Sequence, residues 1–310
     1  MRYSEAVKRH LSQTLKKINK MAKNLKYYFQ KAREEKFAVP QFNFSDFSQM
    51  KAIVNKCFQL KSPVILGTSE GESKFFGIEE AVAIRNVLRK RTGLPIFLNL
   101  DHGKSFEYLK KVVDLGYDMV HFDGSKLPLD ENIKISKEVA KYAHWRGVLV
   151  EGEVGKIGTD SSMLYSEKFK IKEDDLTKPA EAMEYLEKAG ADLLAVSMGN
   201  FHGIEISGVC PDLRIDILKN IEKEIKEKAF LVLHGGSGTM EEDIRSSIKS
   251  GIVKININTE LRLSFTGNLR RVLTENKEEI VPYKFFPVVQ RSVEKVVELK
   301  INLFGSAGRV

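Results

Sequence analysis

The sequence predicts an α/β fold, a single closed (β/α)8 barrel preceded by a basic amphipathic helix. From residue 37 onward, eight short runs rich in Val, Ile, Leu and Phe alternate with longer amphipathic stretches. Eight strand-then-helix units without a low-complexity linker suit one TIM-barrel domain. No Gly-x-Gly-x-x-Gly follows the first run, which removes support from a doubly wound open sheet with a dinucleotide site.

The strands are predicted in order at residues 37–44, 63–68, 94–100, 119–122, 147–150, 192–198, 229–233 and 252–258. Each ends in a polar or Gly-rich cluster: 43–46, 69–72, 101–104, 123–125, 151–155, 199–203, 234–238 and 256–260. Between them, helices are predicted over intervals that include 105–115, 132–145, 179–189 and 241–250. Gly116, Gly190 and Gly251 follow three of these, where a left-handed C-cap is wanted. Glu241, Glu242 and Asp243 open the fourth and suit the helix dipole.

Composition bounds the function. Apolar residues make up 42% and charged residues 30%, which excludes a disordered chain. No apolar run approaches the ~18 residues of a membrane span. Cys57 and Cys210 cannot form a disulfide framework, and neither sits in a Cys-x-x-Cys pair, so a cytoplasmic protein is expected. The net charge of +8 is local. Residues 1–36 hold 11 Lys and Arg against 3 Asp and Glu, which leaves residues 37–310 neutral. A nucleic-acid enzyme would carry its basic surface on the body of the fold, so nucleic acid is not expected as a partner. Val7, Leu11, Leu15, Ile18, Leu25 and Phe29 recur at helical spacing among the lysines. They predict a helix packed on the barrel or on another subunit, with RNA or an anionic membrane as the alternative contact.

In a parallel barrel the strand-end clusters meet at the C-terminal face, where barrel enzymes place their chemistry. His102, His202 and His234 each lie at a strand end and each precedes a glycine. Their convergence suits a three-His site with an open position, a known catalytic zinc arrangement. Asp123 and Glu153 fit either a displaced metal position or hydrogen bonds to the ligand histidines. The Gly-Gly-Ser-Gly run 235–238 and the Asn-Ile-Asn-Thr run 256–259 stand after strands seven and eight. Loops there frequently bind phosphate with a helix N-terminus; the plain alternative is a tight turn.

With these residues laid out, the chain resembles the class II, metal-dependent ketose-bisphosphate aldolases. The matching segments include Gln41-Phe42-Asn43, PVILGTSEG at 63–71, Leu100 to Gly103, Asp123-Gly124-Ser125, GVLVEGEVG at 147–155, LVLHGGSG at 231–238 and KININTE at 254–260. They run from about residue 24 to the C-terminus and leave residues 1–23 as an extension. The resemblance implies cleavage of fructose 1,6-bisphosphate, with tagatose bisphosphate or another ketose bisphosphate as the alternative. It implies His102, His202 and His234 as ligands of a divalent metal, normally zinc, and Asp101 as the acid/base at the C4 hydroxyl. Asp123 and Glu153 match residues that hold metal in a buried alternative position. Gly203, Gly235, Ser237 and Thr259 match the phosphate site of the dihydroxyacetone-phosphate half. Asn256 matches its hydroxy-ketone contact, and Asn258 a position that meets the other half of the sugar. A homo-oligomer, dimer or tetramer, and a monovalent cation are further implications. A different class of function is a non-catalytic barrel whose N-terminal helix binds nucleic acid or membrane.

The chain departs from the family pattern in places. Ser161 stands where a mobile-loop glutamate is expected, with Asp160, Glu167 and Glu173 as substitutes. Asp46 replaces an asparagine, Lys126 a histidine, and His121 an apolar residue; by strand alternation His121 is expected to bond Asp123 or to assist the metal site. Arg291 and Arg262 are the two candidates for a second phosphate. Lys254 is expected to be structural or electrostatic, a Schiff-base lysine being the alternative.

Overall fold

The structure, a computed structural model, describes residues 24–158, 164–165, 171–205 and 212–310. The predicted extension, residues 1–23, lies outside them. Eight parallel strands close into the predicted barrel in sequence order. They are β1 (Val39–Asn43), β2 (Val64–Ser69), β3 (Ile96–Gly103), β4 (Met119–Phe122), β5 (Leu149–Val154), β6 (Leu193–Val196), β7 (Phe230–Leu233) and β8 (Ile252–Ile257). β1 pairs with both β2 and β8, which leaves no edge strand in the ring.

The helices are α1 (Leu25–Glu35), α2 (Phe47–Gln59), α3 (Glu70–Phe76), α4 (Ile78–Thr92), α5 (Phe106–Leu115), α6 (Leu129–Trp145), α7 (Pro179–Ala189), α8 (Ile215–Ile225), α9 (Glu241–Lys249), α10 (Thr259–Glu275) and α11 (Pro282–Phe304). Gly116 and Gly190 cap α5 and α7 in the left-handed region, as predicted. At α9 the capping residue is Ser250, and Gly251 makes the left-handed turn one position later. Among the described residues no helix is long and apolar enough to cross a membrane.

Strand alternation divides the core in two. Outward residues such as Leu66, Leu98, Val120 and Leu194 pack under the helices. Inward residues at the start of each strand, among them Val39, Ile65, Phe97, Met119 and Phe230, fill the lower barrel. Leu25, Tyr28, Phe29 and Ala32 of α1 cover this layer from below. The first helix is therefore a plug: the apolar stripe legible at Leu25 and Phe29 closes the barrel floor. The same inward faces turn polar as they rise. Phe97 is followed by Asn99 and Asp101, Met119 by His121, and Leu149 by Glu151 and Glu153.

Candidate active site

The histidines expected at the strand ends meet at the top of the barrel. His102 Nε2 lies 3.0 Å from His202 Nε2 and 3.0 Å from His234 Nδ1, and the last two are 3.5 Å apart. Three imidazole nitrogens facing one point repel unless a shared proton or a cation lies between them. Nitrogen ligands about 2.0–2.1 Å from a tetrahedral metal sit about 3.3–3.4 Å from each other, so the triangle has the size of a metal site.

Local backbone explains how His102 and Asp101 both face inward. Consecutive strand residues normally point to opposite faces. Here Leu100 pairs with Val120 and Gly103 with Phe122, so Asp101 and His102 together oppose His121 alone, in a bulge. His102 also adopts a left-handed φ of 53°, uncommon for a residue with a side chain. His202 sits in the loop after β6. Asn200 accepts from the Met198 N–H and donates to the His234 carbonyl, tying that loop to β7.

Partners orient each ring. Asp123 Oδ2 is 3.0 Å from His102 Nδ1, and Ser125 donates to the other carboxylate oxygen through its N–H and hydroxyl. Glu151 Oε1 is 2.6 Å from His234 Nε2, while Lys254 Nζ donates to Glu151 Oε2 at 2.7 Å. Asp101 accepts from Asn43 at 3.0 Å and from Asn256 at 3.1 Å. Glu153 Oε2, wholly buried, has no hydrogen-bond partner among the described residues and lies 3.9 Å from His102 Nδ1. Among the described residues, Asp101, His102, His121 and His234 form one group able to hold a cation, and His102, Asp123 and Glu153 form another.

The electrostatics follow from burial opposed by charge. Burial pushes Asp101 up, but the His102, His234 and Lys254 charges outweigh it and hold the carboxyl well below its usual value. Burial pushes His102 down, yet Asp101, Asp123 and Glu153 raise it to about 10. Burial and the cationic neighbours depress His202, and burial brings His234 to about 4. Burial and the Asp123 charge push Glu153 well up, whereas Lys254 and His234 overcome burial at Glu151 and bring it to about 2.

The cavity above the triangle is lined by Asp101, His102, His202, Gly203, His234, Gly235, Ser237, Asn256, Asn258 and Thr259. Asp123 and Glu153, also expected from the sequence, stand behind this wall, against His102. Gly235 has φ +67°, and a Cβ there would lie 2.0 Å from the Phe201 carbonyl oxygen, so the loop after β7 touches the His202 loop directly. Asn258 and Thr259 open α10.

The departures sort by position. Arg262 donates to Glu72 Oε1 at 2.6 Å, and Asn258 to the same oxygen at 3.4 Å, which places Arg262 beside the cavity; Arg291 is exposed on α11. Asp46 caps α2 by accepting from the Gln49 N–H. Lys126 is exposed, and Glu173 is exposed in an ion pair with Arg214. Asp160, Ser161 and Glu167 lie outside the described residues. Lys254 is buried between Glu151 and Asn256, as the electrostatic reading expects. Of the two expectations for His121, the bond to Asp123 is not seen among the described residues, whereas the ring does stand in the metal-site cluster with Asp101, His102 and His234. Its nitrogens face the His102 N–H at 3.3 Å, Glu153 at 3.5 Å, and Asp101 and Glu151 at 3.8 Å. β4 ends at Phe122, so Asp123 lies past the strand, where alternation no longer fixes a shared face.

Sequence reading missed Glu151, Glu72 and the role of Asn43. The predicted fifth strand stopped at Val150, whereas β5 continues to Val154, so Glu151 and Glu153 both face inward. The Glu-x-Glu spacing was the available signal. Asn43 Nδ2 donates to Asp101 and to Glu72 Oε2 at 3.2 Å, joining β1, β3 and α3.

The fructose-bisphosphate aldolase class-II family model matches residues 23–309. A fructose-bisphosphate aldolase of Treponema pallidum (strain Nichols) is 34% identical over 330 residues, covering 92% of this chain and 97% of the relative. Among solved structures, the YdjI aldolase of Escherichia coli K12 superposes with a TM-score of 0.76 at 27% identity, over 91% of this chain and 97% of that one. A fructose-bisphosphate aldolase of Campylobacter jejuni gives 0.77 at 22% identity, over 92% and 95%, a likeness of fold. With the match spanning nearly the whole described barrel, the chain belongs to the class-II fructose-bisphosphate aldolase family, whose members depend on a metal.

Proposed function

We propose that this protein is a zinc-dependent aldolase that reversibly splits fructose 1,6-bisphosphate into dihydroxyacetone phosphate and glyceraldehyde 3-phosphate. The observation that carries the reading is the triangle of His102, His202 and His234 nitrogens beside Asp101, in a cavity walled by Gly203, Gly235, Ser237 and Thr259. His102, His202 and His234 would hold the metal. When bound, it supplies Lewis-acid stabilisation of the negative charge that develops at the ketone end.

Asp101 takes the proton of the C4 hydroxyl, the C3–C4 bond breaks with its electron pair left on the ketone half as an enediolate, the aldehyde leaves, and a proton added at the former C3 completes dihydroxyacetone phosphate. Its depressed pKa keeps it a carboxylate at neutral pH, and Asn43 and Asn256 fix its two oxygens. The N-terminus of α10 and the glycine loop offer a dipole and backbone donors to the phosphate of the retained half. Binding energy at that remote group holds the reacting bond in place. Arg262 meets the second phosphate at the far end, where it now pairs with Glu72.

The test is cleavage by the purified full-length chain of fructose 1,6-bisphosphate and of its C4 epimer, tagatose 1,6-bisphosphate, with release of dihydroxyacetone phosphate read through a coupled reductase. Faster cleavage of the fructose sugar is expected. Preference for the epimer overturns the substrate; no cleavage of either overturns both bisphosphates as substrates.

A further inference from the structure

We propose that His121 is a positioning residue of the metal centre, fixing His102 through its backbone. The inference rests on the proposed metal-binding reading. A bulge leaves a strand N–H without its ladder partner; here that N–H belongs to His102, opposite His121. His121 supplies the missing acceptor: its Nδ1 accepts from the His102 N–H at 3.3 Å. With Nδ1 used as the acceptor, Nε2 is the ring nitrogen left to face another group. That nitrogen faces Glu153 Oε2 at 3.5 Å, and among the described residues neither buried atom has a hydrogen-bond partner.

The His121 ring is fully buried inside the barrel, centred 4.7 Å from the His102 ring and 5.0 Å from that of His234. It therefore braces the one ligand whose backbone is left-handed. His102 aims Nε2 at the other two histidines and Nδ1 at Asp123. A turn of its backbone moves both nitrogens at once. His121 holds that backbone in the orientation the triangle requires and sets its Nε2 against Glu153 Oε2 behind it.

The experiment measures the zinc dissociation constant of the full-length chain by competition with a chromogenic chelator, for wild type, His121→Asn, His121→Gln and His121→Leu. Asn places a carbonyl oxygen near the position of Nδ1; Gln places its amide near Nε2. Outer partners of metal ligands are worth 10–100-fold in metal affinity, so Gln and Leu are expected to weaken zinc by about that factor and Asn to stay within about threefold. Urea midpoints of the metal-free variants report folding separately, and if Leu does not fold, the Asn and Gln pair decides. Wild-type affinity in His121→Gln, or equal weakening by Asn and Gln, overturns the proposal. A wild-type chain that binds no zinc overturns the metal centre itself, along with the inference.

Discussion

Asp101 and His102 are neighbours with opposite electrostatic fates, and the difference sets the pH behaviour of the site. Asp101 stays ionised and free to accept a proton, so Asp101→Asn is expected to lower kcat by about 10²–10⁴ while zinc content stays at the wild-type level. Without metal, Asp101, Asp123 and Glu153 hold His102 up at about 10 against its burial, and burial holds His234 down at about 4. At pH 7 the first therefore carries a proton that metal must displace, while the second does not. Zinc binding is expected to release about one proton at pH 7, and affinity to rise about tenfold per pH unit until His102 titrates. Calorimetry in buffers of different ionisation enthalpy measures that proton; release of none contradicts the assignment. At the far end, Arg262→Ala is expected to raise KM for fructose 1,6-bisphosphate by about 10–100-fold, since charged hydrogen bonds are worth about 1.5–3 kcal/mol. The histidines and Asp101 were legible because strand ends of a parallel barrel share one face. Glu151 was not, because a polar residue after an apolar run reads as the end of a strand even when the strand continues inward.

At the level of elements, all eight strands and the helices α5, α6, α7 and α9 were legible from apolar runs, alternation and glycine caps. Helix α3 was not, since its first residues read as the polar end of strand two. Ser69 and Glu72 there form a capping box that starts a helix at once, and the same Glu72 reaches Arg262 and Asn43. Helix α1 was legible as amphipathic, but its partner was not, because nothing in its pattern distinguishes a barrel floor from another subunit. Phe29→Ala removes a fully buried ring from that floor and is expected to cost about 3–5 kcal/mol in urea unfolding. Gly235→Ala forces a left-handed residue against the Phe201 carbonyl. A displacement of about 1 Å in the His202 loop is enough to lower kcat/KM by roughly 10²-fold.

For the whole molecule, the inward strand faces run from an apolar floor under α1 to the polar, metal-ready mouth, so stability and chemistry occupy opposite ends of one barrel. The excess of basic charge lies before residue 37 in the sequence. A chain lacking residues 1–23 is expected to keep α1, fold, and cleave substrate at the full-length rate; loss of activity would show that the segment completes the site. The account stands on the three-histidine centre. Its most direct test is fructose 1,6-bisphosphate cleavage by the purified protein, before EDTA, after EDTA, and after zinc is returned. The account predicts activity abolished by EDTA and restored by zinc. Cleavage that persists in EDTA would contradict it and shift attention to lysine chemistry, with Lys254 the first residue to replace.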